Sequence, residues 1–146
     1  MSSSPKNIFT HGPITPAFIA ESIAKHQTKT SIGAHDLFLG QVRADVKDGH
    51  EVEAIHYTAN EALALNICQE IREEAFQKFP ITCLHIHHSL GMVKTGEICF
   101  FVFVSSAHRK ASFEACEWLV NEIKEKCPIW GEEKTAVQFY WKENHG

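Results

Sequence analysis

From Ala107 to Cys127 the chain has neither proline nor glycine, and Phe113, Cys116, Val120, Ile123 and Cys127 recur along one side at helical spacing. Pro128 ends this stretch, since a proline ring removes a backbone donor and clashes with the preceding turn. Just upstream, Ile98 to Val104 is wholly apolar, as in a buried strand. A buried strand feeding a long one-sided helix commits the chain to a sheet with helices packed on it.

The other elements fit that frame. A short strand is expected near Lys6–Thr10, then a helix with Thr15 as N-cap and Pro16 at its first position, running to about Gln27. Gly33–Arg43 reads as a strand, Lys47-Asp48-Gly49-His50 as a turn or mobile loop, and Glu51–Tyr57 as a strand. Asn60 can cap the next helix, where Leu63, Ile67 and Ile71 form a ridge and Pro80 closes it. Ile81–His88 and Glu97–Ser105 are expected to be strands joined through Gly91 and Thr95-Gly96, and Thr135–Trp141 a last strand. Hairpins mixed with crossovers place the chain in the α+β class, with helices on one sheet layer. The 146 residues contain no repeat or low-complexity tract, so 1–146 is expected to form one domain, with residues 1–5 disordered.

Composition narrows the function. The net charge is −4 and no basic stripe stands out, which argues against general nucleic-acid binding. The N-terminal MSSSPKN lacks the apolar core of a signal peptide, and the longest apolar run is too short for a bilayer. Five cysteines without a CxxC pair, all within strands and helices, read as reduced, buried thiols of a cytoplasmic protein.

Three clusters invite a chemical reading. His85 and His87 share a strand face, with His88 beside them, but zinc needs three or four ligands and no obvious third lies nearby. Structural histidines are the plainer account. No cysteine has a histidine at a recognisable catalytic spacing. Phe139-Tyr140-Trp141 reads as a packed edge strand before it reads as a stacking platform.

The segment VFVSSAHRK, Val102 to Lys110, is different. It ends a buried strand and opens the long helix with His108, Arg109 and Lys110. Helix N-termini present unpaired N–H groups that favour an anion, and Arg109 adds a fork suited to phosphate or carboxylate. A solvated first turn is the alternative, although cations there oppose the helix dipole.

Four motifs in order extend this reading: FLGQVR (Phe38–Arg43), HSLG followed by TGE (His88–Glu97), SSAHRKASFEA (Ser105–Ala115) and KEKCPIW (Lys124–Trp130). Together they resemble the large, catalytic subunit of molybdopterin synthase, from about Gly33 to Trp141. The resemblance implies an α/β-hammerhead-like fold and conversion of cyclic pyranopterin monophosphate to molybdopterin. Sulfur would come from the C-terminal Gly-Gly thiocarboxylate of a small ubiquitin-like subunit, in a heterotetramer built on a homodimer of large subunits. It implies no cofactor or metal. Gln41 and Arg43 match substrate contacts, His108 and Arg109 an anion-binding pair, and Lys124 a catalytic lysine.

Two positions depart from the pattern. Gly131 stands where the resemblance implies a second lysine, with Lys134, or less readily Lys126, as a replacement; Ser89 stands in place of an arginine. A non-catalytic phosphate-ligand binding or scaffold module is therefore the alternative function, and a zinc hydrolase using His85 and His87 a third. Geometry adds a constraint. On one unbroken helix, a rise of 1.5 Å per residue puts His108 and Lys124 about 24 Å apart. A small substrate cannot reach both, so a site using both is expected to combine Lys124 and Arg43 of one chain with His108 and Arg109 of its two-fold mate.

Overall fold

The computed structural model describes residues 5–137 and 139–141. The chain forms, in order, β1 (Phe9–His11), α1 (Pro16–His26), β2 (Ala34–Gln41), β3 (Val46–Lys47), β4 (His50–Glu51), β5 (Ala54–Ala59), α2 (Glu61–Lys78), β6 (Cys83–Lys94), β7 (Ile98–Ser106), α3 (Arg109–Lys126), β8 (Ile129–Lys134) and β9 (Phe139–Trp141). The main sheet runs β2-β7-β6-β5-β8-β9, all antiparallel, and β1 joins β6 in parallel, so the sheet is mixed. This is an α+β arrangement, as the element order predicts.

Helices cover both faces of the one sheet layer. Side chains alternate along a strand, so Phe100, Val102 and Val104 of β7 join the large core with Ala115, Leu119 and Ile123 of α3 and Cys68 and Ile71 of α2. Phe101 and Phe103 point the other way and pack with Ile14 and Ile19 beside α1. The unbroken apolar run of β7 follows from burial on both sides.

The caps behave as expected: Thr15 Oγ1 accepts from the Phe18 N–H, and Asn60 Oδ1 from the Leu63 N–H. Several boundaries differ. Gly91 does not separate two strands; at φ 81° it lies inside β6, which continues to Lys94 and turns at Thr95-Gly96, where Gly96 has φ 89°. Lys47-Asp48-Gly49-His50 is the tip of the β3–β4 hairpin, with both central residues at positive φ. The final stretch holds two strands, and β8 escapes a pattern reading because Gly131 interrupts its alternation. Helix α3 starts at Arg109, with His108 in extended conformation at the cap, slightly later than the Ala107 at which the proline- and glycine-free stretch begins. Of the N-terminal segment expected to be disordered, 1–4 lies outside the described residues and Pro5 is irregular. The Phe139–Trp141 side chains also lie outside what is described.

Candidate active site

All five cysteines are buried thiols, and no disulfide forms. His85 and His87 do share the α1 face of β6, but each has another partner. His85 Nε2 meets His26 Nε2 at 2.7 Å, and His87 stacks on Phe101 with Phe18 against its edge. His88 faces the opposite way, toward the large core. Among the described residues no group of three or more histidine, cysteine or acidic side chains is placed to hold a metal ion.

A cavity of about 420 Å³ opens between the C-terminal end of α3 and the sheet. Gly40 and Gln41 at the end of β2 form one wall, where a register shift between them breaks the ladder. Lys124, Lys126 and Cys127 form another, and Trp130 and Gly131 of β8 a third. Tyr57, His88 and Cys99 form the floor, each buried by the sheet. Lys124 also borders a groove of about 530 Å³ between β2 and α3, beside Phe38 and the exposed Phe113.

The floor is polar but uncharged at neutral pH. Tyr57 Oη donates to Cys99 Sγ at 3.3 Å, and that thiol donates to the Gly40 carbonyl at 3.4 Å. Burial, then Cys99 and Glu133, raises the Tyr57 phenol above its ordinary value. Burial lowers His88 to about 4, with the Lys124 charge adding to the effect against a hydrogen bond to the Ser89 carbonyl. Burial pushes the Cys127 thiol up to about 11, so it is protonated and a poor nucleophile.

Of the residues singled out from sequence, Gln41, Lys124 and Gly131 line this cavity; Arg43, His108, Arg109 and Lys134 do not. Arg43 is exposed and pairs with Asp45 at 3.3 Å. His108 and Arg109 are exposed at the other end of α3, which runs unbroken between them and Lys124. Lys134 lies three residues beyond Gly131 on a regularly paired strand, so the two leave opposite faces. Lys126 does border the cavity, its ammonium 2.7 Å from Glu122. Sequence reasoning gave no role to Tyr57 or Cys99, held Trp130 only as the end of the KEKCPIW motif, and read His88 as part of a histidine run and the start of the HSLG motif without a role in the site; strand alternation is the one signal that separates it from its neighbours.

Gly131 has a local cause. A Cβ there would lie 2.8 Å from Ile55 Cγ2 and 3.1 Å from Tyr57 Cε1, so the floor leaves no room for a side chain. The buried Ser89 fills the second departure with a small side chain whose hydroxyl has no partner among the described residues.

Comparison with known proteins follows the same lines. The family model described as MoaE protein matches residues 10–126. A molybdopterin synthase catalytic subunit of Pyrococcus abyssi is 39% identical over 86% of this chain and 83% of its own. The crystal structure of molybdopterin synthase from Staphylococcus aureus superimposes with a TM-score of 0.81 at 30% identity, covering 92% of this chain and 95% of that one. A Helicobacter pylori structure, a complex of subunits 1 and 2 of molybdopterin-converting factor, shares the fold with a TM-score of 0.78 at 21% identity, over 92% of this chain and 88% of that one. The cavity, the two-ended helix and these likenesses agree: the chain belongs to the MoaE protein family.

Proposed function

We infer that this chain is the catalytic subunit of a molybdopterin synthase. In this reading it transfers sulfur to cyclic pyranopterin monophosphate from the C-terminal Gly-Gly thiocarboxylate of a small ubiquitin-like subunit, yielding molybdopterin in the cytoplasm. The observation that carries it is Lys124, held on the wall of a mixed polar and apolar cavity by the last turns of α3. Negative charge develops on oxygen as sulfur replaces it, and a cation preorganised in a water-poor cavity stabilises that charge without reorganising. Among the described residues no helix is long and apolar enough to cross a membrane, which suits a soluble reaction.

The substrate also carries a phosphate, and one chain does not bring all the expected cations to one place. His108 and Arg109 lie about 24 Å from Lys124 along α3. In this reading two chains pair about a two-fold axis, each lending His108 and Arg109 to the cavity that holds its mate's Lys124 and Gln41, with the exposed Arg43 outside its lining. A small subunit at each end completes a heterotetramer. Lys126, which borders the cavity, is better placed than Lys134 to stand in for the lysine replaced by Gly131.

The test is to incubate the purified chain with thiocarboxylated small subunit and precursor and detect molybdopterin. The wild type should form product. Lys124→Ala should form none while still binding the small subunit, and near-normal turnover by that variant would remove Lys124 from the chemistry. Gly131 favours a second reading, a module that binds the phosphorylated ligand without converting it. Precursor binding with no product from the wild type would select it.

A further inference from the structure

Among the described residues His88 is the one imidazole lining the cavity, and its setting fixes what it can do. The side chain is 9% exposed, clamped between Phe100 and Tyr57 with ring centroids 5.2 and 5.1 Å away. Its Nδ1 lies 2.8 Å from the Ser89 carbonyl, which can only accept, so Nδ1 carries the hydrogen. A neutral ring of that tautomer has a lone pair on Nε2. Among the described residues Nε2 has no hydrogen-bond partner, and the only buried side-chain polar atom both sealed from solvent and unsatisfied is Ser89 Oγ. The Nε2 edge is therefore open to the cavity that His88 lines.

An acceptor without charge, fixed in a half-apolar wall, discriminates between parts of a ligand. It repels a phosphate and welcomes an N–H or O–H, and leaving it unsatisfied beneath a bound ligand is costly. We propose that His88 is a positioning residue that accepts a hydrogen bond from a donor edge of the substrate's heterocycle, turning the anionic end of the ligand toward the cations. Burial and the Lys124 charge keep the ring neutral at physiological pH, so the acceptor is permanent there. This deepens the reading of the cavity as the pterin site and rests on it.

Two variants separate the acceptor from packing. In His88→Asn the amide falls near the Nδ1 position, so the Ser89 contact survives and the acceptor is lost. In His88→Gln the amide reaches the Nε2 position. Titration of cyclic pyranopterin monophosphate into the full chain should show about tenfold weaker binding for His88→Asn and a loss within about threefold for His88→Gln. Inorganic phosphate should compete equally in both, with thermal midpoints close to one another. Equal precursor affinities in the two variants, or a parallel loss of phosphate binding, would overturn the proposal. Because the readout is binding, it remains decisive if the wild type makes no molybdopterin, a result that would count against the catalytic reading alone.

Discussion

Replacing Gly131 by alanine probes the cavity floor with a single methyl group. The added carbon would meet Ile55 Cγ2 at 2.8 Å and Tyr57 Cε1 at 3.1 Å, both on side chains that are almost fully buried. Neither is the free end of a flexible chain, so the neighbours must shift or leave their rotamers, at about 1–3 kcal/mol for overpacking of this kind. Alanine in place of glycine restrains the unfolded chain and returns about 0.4–1 kcal/mol. A net loss of about 1–2 kcal/mol follows, which lowers the thermal midpoint by several degrees at ~2–4 °C per kcal/mol for a chain of this size. Urea unfolding of Gly131→Ala, Ile55→Leu and the double variant checks the mechanism, because leucine keeps the volume of isoleucine but lacks its Cγ2 methyl. The double variant should be more stable than the sum of the singles by at least about 0.5 kcal/mol. A Gly131→Ala protein as stable as the wild type would refute the steric argument. Gly131→Lys begins with the same Cβ, so restoring a lysine there should destabilise the floor before it adds a useful charge.

Two further predictions concern charge. His85 and His88 both titrate near 4 in the folded protein against 6.5 for an exposed histidine, His85 through burial first and then His26, Arg72, Lys6 and His87. Between about pH 6.5 and 4 the unfolded chain binds protons that the folded one refuses, so stability is full above 6.5 and falls as pH drops through the window, by about 3 kcal/mol for the buried His88 and by less for the half-buried His85, which solvent screens. Urea midpoints measured from pH 7.5 to 4.5 check this, and a flat profile would contradict it. Arg109→Ala should weaken precursor binding by about 1.5–3 kcal/mol, the loss of one charge-assisted contact. Calorimetric titration measures it, and an unchanged affinity would take Arg109 out of the site.

The sheet and its helices were legible because their signals are local. The apolar run of β7, the one-sided α3 and the caps at Thr15 and Asn60 each follow from short-range chemistry. What escaped was set by tertiary contact. The kink at Gly91 is a φ choice inside a strand that pairs with β7 through one half and β5 through the other. Strand β8 is held by pairing with β5, not by its own pattern. For the site, motif and resemblance found Gln41, Lys124 and Gly131, while Tyr57 and Cys99 came together only when β5 and β7 folded onto one floor. The histidine cluster shows the limit most plainly: three imidazoles within four positions serve two faces of the sheet, with His85 and His87 under α1 and His88 in the cavity.

Mixing Lys124→Ala and Arg109→Ala chains tests most directly whether one site draws on two copies. Each variant alone has a damaged residue in every site. After the two are unfolded together, refolded and supplied with thiocarboxylated small subunit and precursor, a two-fold pair of unlike chains contains one site with both residues intact. Random pairing should then restore up to about a quarter of wild-type molybdopterin formation. Activity that stays at the level of the separate variants, with mixed dimers shown to be present, would place both residues in the same chain's site and contradict the account.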